Sequence, residues 1–208
     1  MINSNLSSLK NLLITKLRNK DTSRAEFRYS AMQLASLLAL EAESIIETQK
    51  INIETPITTT TGLQIKKDII LIPILRSGLA LLPAFIEHFP NSAVGVVGMK
   101  RDEKTAIAHL YYKNIPKIST TDQVIILDPM IATGGSGTDT IKIITDMGVD
   151  QKQIIFVGII AAPEGIKVMK ETYPDIKIIV AITDKGLTSK KFITPGLGDF
   201  GDRFFGTE

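Results

Sequence analysis

Fifteen consecutive residues, Val124-Ile125-Ile126-Leu127-Asp128-Pro129-Met130-Ile131-Ala132-Thr133-Gly134-Gly135-Ser136-Gly137-Thr138, limit what this chain can become more than any other stretch. The short apolar, β-branched run at their start reads as a buried strand. An acidic residue stands where that strand should end, and small residues and glycines follow. From Ser136 onward Ile141, Ile144 and Met147 recur at helical spacing, and Gly148 supplies a stop. A strand, a glycine-rich turn and a helix N-terminus in succession make an anion site. Glycine lets the backbone curl and approach closely, and first-turn N–H groups have no intrahelical partner. The expected ligand is a phosphate group, with Asp128 just before it, placed for sugar hydroxyls.

Two other phosphate loops are excluded. GxxxxGK[ST] needs a lysine, and none follows Gly134 or Gly135 before Lys142. Within this stretch GxGxxG could start only at Gly135-Ser136-Gly137, where its third glycine is missing. A net charge of +2 does not suit a nucleic-acid-coating protein, and no apolar run approaches the ~20 residues of a membrane span. The chain has no cysteine, which excludes disulfides, thiolate metal sites and a cysteine nucleophile. That absence fits a reducing cytoplasm. The polar start (Asn3, Ser4, Asn5) has no continuous apolar stretch, so secretion is not expected.

Strand and helix patterns alternate along the 208 residues, predicting a single α/β domain with an open, mostly parallel twisted sheet flanked by helices. Leu6, Leu9, Leu13 and Leu17 mark a short amphipathic helix. Thr22 or Ser23 caps a longer one running to about Ile46, with Glu26 placed for a capping box. Its broad apolar stripe suits either burial against the sheet or a dimer contact. Residues 1–50 thus form an N-terminal helical segment. From Ile51 to Lys66 two β-rich runs flank Thr58-Thr59-Thr60-Thr61-Gly62, read as the turn of a hairpin arm. Strands are expected at Asp68–Leu75, Ala93–Met99, Val124–Leu127, Ile154–Ala162 and Ile176–Ile182. Helices are expected from about Leu79 to His88, after Ser136, and from Pro163 to about Tyr173. Residues 183–208 turn irregular and glycine-rich and form a C-terminal loop region.

Several residues could do chemistry. Arg76 leaves a buried strand with Ser77-Gly78 behind it, so its planar fork could grip a polyanion. Arg101 and Lys104, in the charged segment Lys100-Arg101-Asp102-Glu103-Lys104-Thr105, could fold over an anion held at the glycine loop and exclude water. Neither histidine, His88 or His109, has a metal-ligand neighbour at a useful spacing. Asp199 and Asp202 stand in Pro195–Phe205, whose three glycines expose backbone groups able to read the edge of a flat heterocycle. The chemistry implied is positioning and charge stabilisation without a covalent nucleophile.

Four stretches together resemble the uracil phosphoribosyltransferase family: Pro73–Leu79, Val97–Thr105, Asp128–Ser136 and Pro195–Thr207, with Ala161–Gly165 in support. The resemblance implies a type I phosphoribosyltransferase fold with a base-binding hood over 183–208. It implies transfer of a 5-phosphoribosyl group from phosphoribosyl pyrophosphate to N1 of uracil, giving UMP and pyrophosphate in pyrimidine salvage. Mg²⁺ would be carried by the donor rather than by protein ligands. Arg76, Ser77, Gly78 and Arg101 would hold the pyrophosphate, Asp128 the ribose hydroxyls, and the run Pro129 to Ser136 the rest of the donor, its 5′-phosphate at Ala132 to Ser136. Ile193, Gly198 and Phe200 would read uracil through backbone groups, with Asp199 beside donor and base. A homodimer or larger assembly and a GTP effector are implied as well, with no nucleic acid or membrane partner. Phe200 stands where the family usually has alanine, and Phe192 where tyrosine is common, so another base is a rival substrate. A nucleotide-sensing regulator with the same pocket is the other alternative.

Overall fold

A computed structural model describes residues 6–101 and 108–207. In chain order its elements are α1 (Leu6–Arg18), α2 (Arg24–Glu43), β1 (Thr48–Glu54), β2 (Thr59–Ile65), β3 (Ile69–Leu75), α3 (Leu82–His88), β4 (Ala93–Val94), β5 (Val96–Arg101) and β6 (Ala108–Asn114). There follow β7 (Gln123–Leu127), β8 (Met130–Ile131), α4 (Gly135–Asp146), β9 (Ile154–Ala161), α5 (Pro163–Thr172), β10 (Lys177–Thr183), β11 (Gly186–Leu187), β12 (Ile193–Thr194) and α6 (Phe200–Phe205).

Near-continuous Ile, Leu and Val in β3, β7 and β9 makes these the sheet's centre, because a parallel strand covered by helices on both faces has no polar side. The strand order is β10-β9-β7-β3-β5-β6, with β4 added to β3 and β8 to β9. All of these pairings are parallel except β5 with β6. The α/β class and the mostly parallel sheet are therefore as the patterning predicts. One face carries α1, α2 and α3 over Leu71, Ile125 and Val157. The other carries α4 and α5 over Ile72, Ile126 and Phe156. Ser23 caps α2, its hydroxyl accepting from the Glu26 N–H, and Phe27, Leu34 and Leu38 then go fully under. Much of the apolar stripe of α2 is thus buried within the chain, while Tyr29, Met32, Leu40 and, past its end, Ile45 stay exposed.

Three local expectations change. The hairpin turn is at Thr55–Thr58, where the Thr55 hydroxyl accepts from the Ile57 and Thr58 N–H groups; Thr59 to Gly62 lie inside β2, which suits β-branched threonine. The helix after β3 is split into a 3₁₀ turn at Ser77–Ala80 and α3, with Pro83 in the first turn, where its missing N–H costs nothing. The strand over 93–99 breaks at Gly95, where a Cβ would lie 2.7 Å from Ile72 Cδ1. His109 sits in β6, paired opposite Lys100. Asp102 to Ile107, and with them the closure expected of Lys104, lie outside the described residues.

Candidate active site

β7 stops at Leu127, and the next residues fold back against the end of β9. The Asp128 N–H donates to Val157 O at 3.1 Å, and Pro129 O accepts from the Ile159 and Ile160 N–H groups, each at 2.9 Å. These bonds fix the floor of an open cleft at the carboxyl ends of the parallel strands. That is where an open α/β sheet binds its ligand.

Ser77, Asp128, Met130, Ile131, Ala132, Thr133, Gly134, Gly135 and Ser136 line this cleft from one side, and Ile193, Gly198 and Asp199 from the other. The structure therefore brings most of the expected site residues into a single space. Gly134 turns the chain at φ 84, and helix α4 starts with no side-chain cap and no acidic residue in its first turn. By contrast α2 and α6 cap themselves with Ser23 and Asp199. The N–H groups at the start of α4 are left for an external acceptor, and the helix dipole favours an anion there. Gly134 also lies against the next helix: a Cβ on it would come 2.7 Å from Gly165 O, and one on Gly165 would overlap Ala132 O.

Asp128 is half-buried, and its recorded hydrogen bond is a long one, 3.5 Å from the Met130 N–H. Burial, offset only weakly by that N–H, pushes its carboxyl up to about 7. A carboxylate so poorly served is poised to accept from ligand hydroxyls.

Four expected residues stand elsewhere. The Arg76 guanidinium pairs with Asp202 at 3.1 Å and donates to the Thr207 hydroxyl at 3.4 Å. Gly78 is buried where any Cβ would overlap Leu127 O, so it packs the turn without lining the cleft. Pro129 is buried in the floor. The Phe200 ring is fully buried, 5.3 Å from the Phe27 ring and stacked on Phe204 at 5.7 Å, so its bulk points away from the cleft. Arg101 ends β5, and its side chain lies outside the described residues. The residue patterns missed Gly137, Phe156, Met169 and Lys191 as lining groups, and took Phe192 only as a family departure. Gly137 had a signal in its place within the glycine-rich run, and in the structure a Cβ there would meet Met169 Cε at 3.0 Å. Nothing in the sequence separates Lys191 from Lys190.

The second side of the cleft is braced by the N-terminal helices. Arg18 Nη1 donates to Asp184 Oδ2 at 2.9 Å and to Gly196 O at 2.8 Å, and the Gly196 N–H returns to Asp184 Oδ2 at 2.8 Å. Burial alone would raise the Asp184 carboxyl, but the Arg18 guanidinium and the Gly196 N–H outweigh it and hold the carboxyl below its ordinary range. The pair's contribution is therefore present above the ordinary carboxylate pKa and is lost as pH falls through the depressed value. Arg18→Ala is expected to cost roughly 2–3 kcal/mol at neutral pH, since it strands a carboxylate whose side chain is only 3% exposed. The deficit should shrink below pH 4 as Asp184 protonates. Urea unfolding at both pH values checks this; a deficit independent of pH would mean lost packing rather than lost charge.

Comparison with known proteins covers nearly the whole chain. The family model described as uracil phosphoribosyltransferase matches residues 6–207. The uracil phosphoribosyltransferase of Malacoplasma penetrans is 43% identical over 195 residues, 94% of either chain. That of Thermosipho melanesiensis is 44% identical over 196 residues, 94% of this chain and 93% of its own. The solved AQ2163 protein from Aquifex aeolicus matches with a TM-score of 0.87 at 34% identity, covering 98% of this chain and 96% of that one. A purine phosphoribosyltransferase from Pyrococcus horikoshii, at TM-score 0.50 and 15% identity over 77% of this chain and 93% of its own, shares the fold alone. Agreement over this much of its length means that the chain belongs to the uracil phosphoribosyltransferase family.

Proposed function

We infer that this cleft transfers the 5-phosphoribosyl group of phosphoribosyl pyrophosphate to N1 of uracil, releasing pyrophosphate and leaving UMP for pyrimidine salvage. The observation carrying it is the uncapped N-terminus of α4 facing the same space as the half-buried Asp128 and the backbone of Ile193 and Gly198. One side suits a phosphorylated sugar and the other a flat base. Departure of pyrophosphate leaves oxocarbenium-like charge on C1 of the ribose while negative charge grows on the leaving group. In this reading the Thr133–Ser136 turn holds the 5′-phosphate and Asp128 fixes the ribose hydroxyls, so C1 is presented to N1 in line. Ile193 and Gly198 read the uracil edge through backbone groups. Asp199, whose Oδ1 accepts from the Asp202 N–H at 2.9 Å, holds that wall in place beside C1.

Arg101 and Arg76 take the pyrophosphate. Arg76 must first leave Asp202, and with its side chain 54% exposed that pair is worth about 0–1 kcal/mol, a small barrier to exchange. Among the described residues only Asp128 and Asp199 offer carboxylates to the cleft, and no three His, Asp or Glu side chains converge as a metal site. That donor set fits Mg²⁺ held by the oxygens of the pyrophosphate donor, where it would neutralise the leaving group. The reading extends to one domain over 1–208 with the hood at 183–208, a cytoplasmic setting, a homodimer or larger assembly, and activation by GTP. No helix among the described residues is long and apolar enough to cross a membrane.

The deciding assay measures pyrophosphate release from phosphoribosyl pyrophosphate and Mg²⁺ with uracil, hypoxanthine or orotate, each with and without GTP. Release with uracil alone is expected, because Phe200 does not crowd the base slot. Release with hypoxanthine or orotate and not uracil would reassign the base. No release with any base would favour a nucleotide-sensing regulator.

A further inference from the structure

We propose that Lys191 is a substrate-binding residue whose ammonium contacts the 5′-phosphate of the donor and of UMP; this rests on the phosphate site assigned above. Lys191 is the one cationic side chain lining the cleft among the described residues. Its ammonium is exposed and makes no ion pair or hydrogen bond there, whereas Arg76, outside the lining, is paired with Asp202. A dianionic ligand entering this cleft meets Lys191 as the cation free to receive it.

Backbone geometry holds the residue where it can act. Lys191 has φ 64 and is the non-glycine residue in the left-handed region among those described. A lysine gains nothing locally from that conformation, and such residues gather at ligand-binding sites because the surrounding structure enforces them. Here the turn is closed on both sides. The Lys191 N–H donates to Thr188 O at 2.8 Å, the Phe192 N–H to the Thr188 hydroxyl at 3.1 Å, and the Thr188 N–H to Phe192 O at 2.8 Å.

The hairpin carrying this turn is moored beside the phosphate loop rather than beside Ser77. The Leu187 N–H of β11 donates to Glu164 Oε1 at 3.0 Å. The next residue, Gly165, is the one packed against Ala132 O, and its own carbonyl faces Gly134. Lys191 therefore lines the same cleft as the start of α4, with the first turn of α5 joining the two. A mobile ammonium there adds charge to the fixed N–H donors of the turn, and it serves both donor and product because both carry the same phosphoryl group.

Calorimetric titration of UMP, ribose 5-phosphate and pyrophosphate into the full chain tests the contact. Lys191→Gln should weaken UMP and ribose 5-phosphate about tenfold each and flatten the salt dependence of their binding, with pyrophosphate unchanged. Lys191→Arg should keep affinity within about threefold of the parent, because the charge is preserved. Lys191→Gly should lose as much affinity as Lys191→Gln without lowering Tm, since glycine adopts this φ freely. Unchanged UMP and ribose 5-phosphate binding in Lys191→Gln overturns the proposal. So does a loss confined to pyrophosphate, which would turn the ammonium toward the leaving group. Ribose 5-phosphate carries no base, so a failure of uracil recognition leaves this readout intact and is seen separately, as absent pyrophosphate release in the parent protein.

Discussion

Gly134→Ala is expected to destabilise the protein by roughly 3–5 kcal/mol and to weaken phosphoribosyl pyrophosphate and UMP by more than a hundredfold. Two independent costs add at this position. The residue sits at φ 84, where an L side chain is strained, and its Cβ would come 2.7 Å from Gly165 O, a backbone atom that cannot rotate away. Relief requires α4 to withdraw from α5, which carries the first-turn N–H groups away from the phosphate. Gly135→Ala is the informative partner. A Cβ there meets nothing nearer than the Thr133 hydroxyl at 3.8 Å, and the φ is ordinary, so Tm should hold. That methyl nevertheless stands in the cleft, and ligand affinity should fall by about tenfold or more. Thermal unfolding and UMP titration on both variants separate the two effects. A Gly134→Ala protein with parental Tm and parental affinity would remove the turn from any role in phosphate binding.

The two glycines also show which parts of the molecule could be read in advance. Ile69–Leu75, Gln123–Leu127 and Ile154–Ala161 were legible as central strands because burial on both faces forces the same apolar choice at every position. The phosphate turn was legible because its requirements are local: a strand end, a positive φ and an uncapped helix. What escaped depends on partners distant in sequence. Arg76 looks like a free anion grip until Asp202, 126 residues on, takes it up. Phe200 looks like an intrusion into the base slot until Phe27 and Phe204 draw its ring into the core. Helix α6 has six residues including Gly201, and nothing in its composition favours a helix. It forms because Asp199 caps it and Arg28 Nε donates to Phe204 O at 2.7 Å. Strand β6 mixes Ala108, His109 and Lys113 without clean alternation, since as an antiparallel edge strand it is constrained mainly by pairing with β5.

Asp128→Asn is expected to make the unliganded protein more stable at pH 8 while weakening the donor by roughly 30-fold or more. The sign follows from the raised carboxyl. Unfolded, Asp128 would lose its proton near 3.8; folded, burial holds the proton until about 7. Between those values the folded state binds more protons, so the favourable term is complete below 3.8 and is lost as pH rises through 7. At 1.36 kcal/mol per pH unit the full span approaches about 4 kcal/mol, and since Asp128 is half-buried with solvent at its outer face, roughly 2–3 kcal/mol is the realistic share. The Asn variant has no charge to bury and escapes that loss. Ligand binding runs the other way. Ribose hydroxyls donating to the carboxylate stabilise its charged form, so donor affinity should climb up to tenfold per pH unit below 7 and level off above it. The phosphoryl groups titrate near 6, and the Asn variant, which keeps that contribution but lacks the carboxylate, isolates the Asp128 part by difference. Denaturant unfolding from pH 5 to 8.5 and donor titration over the same range test both arms. Parallel pH profiles for the parent and the Asn variant would show that Asp128 is already ionised in the empty cleft, and that sugar hydroxyls do not draw on its charge.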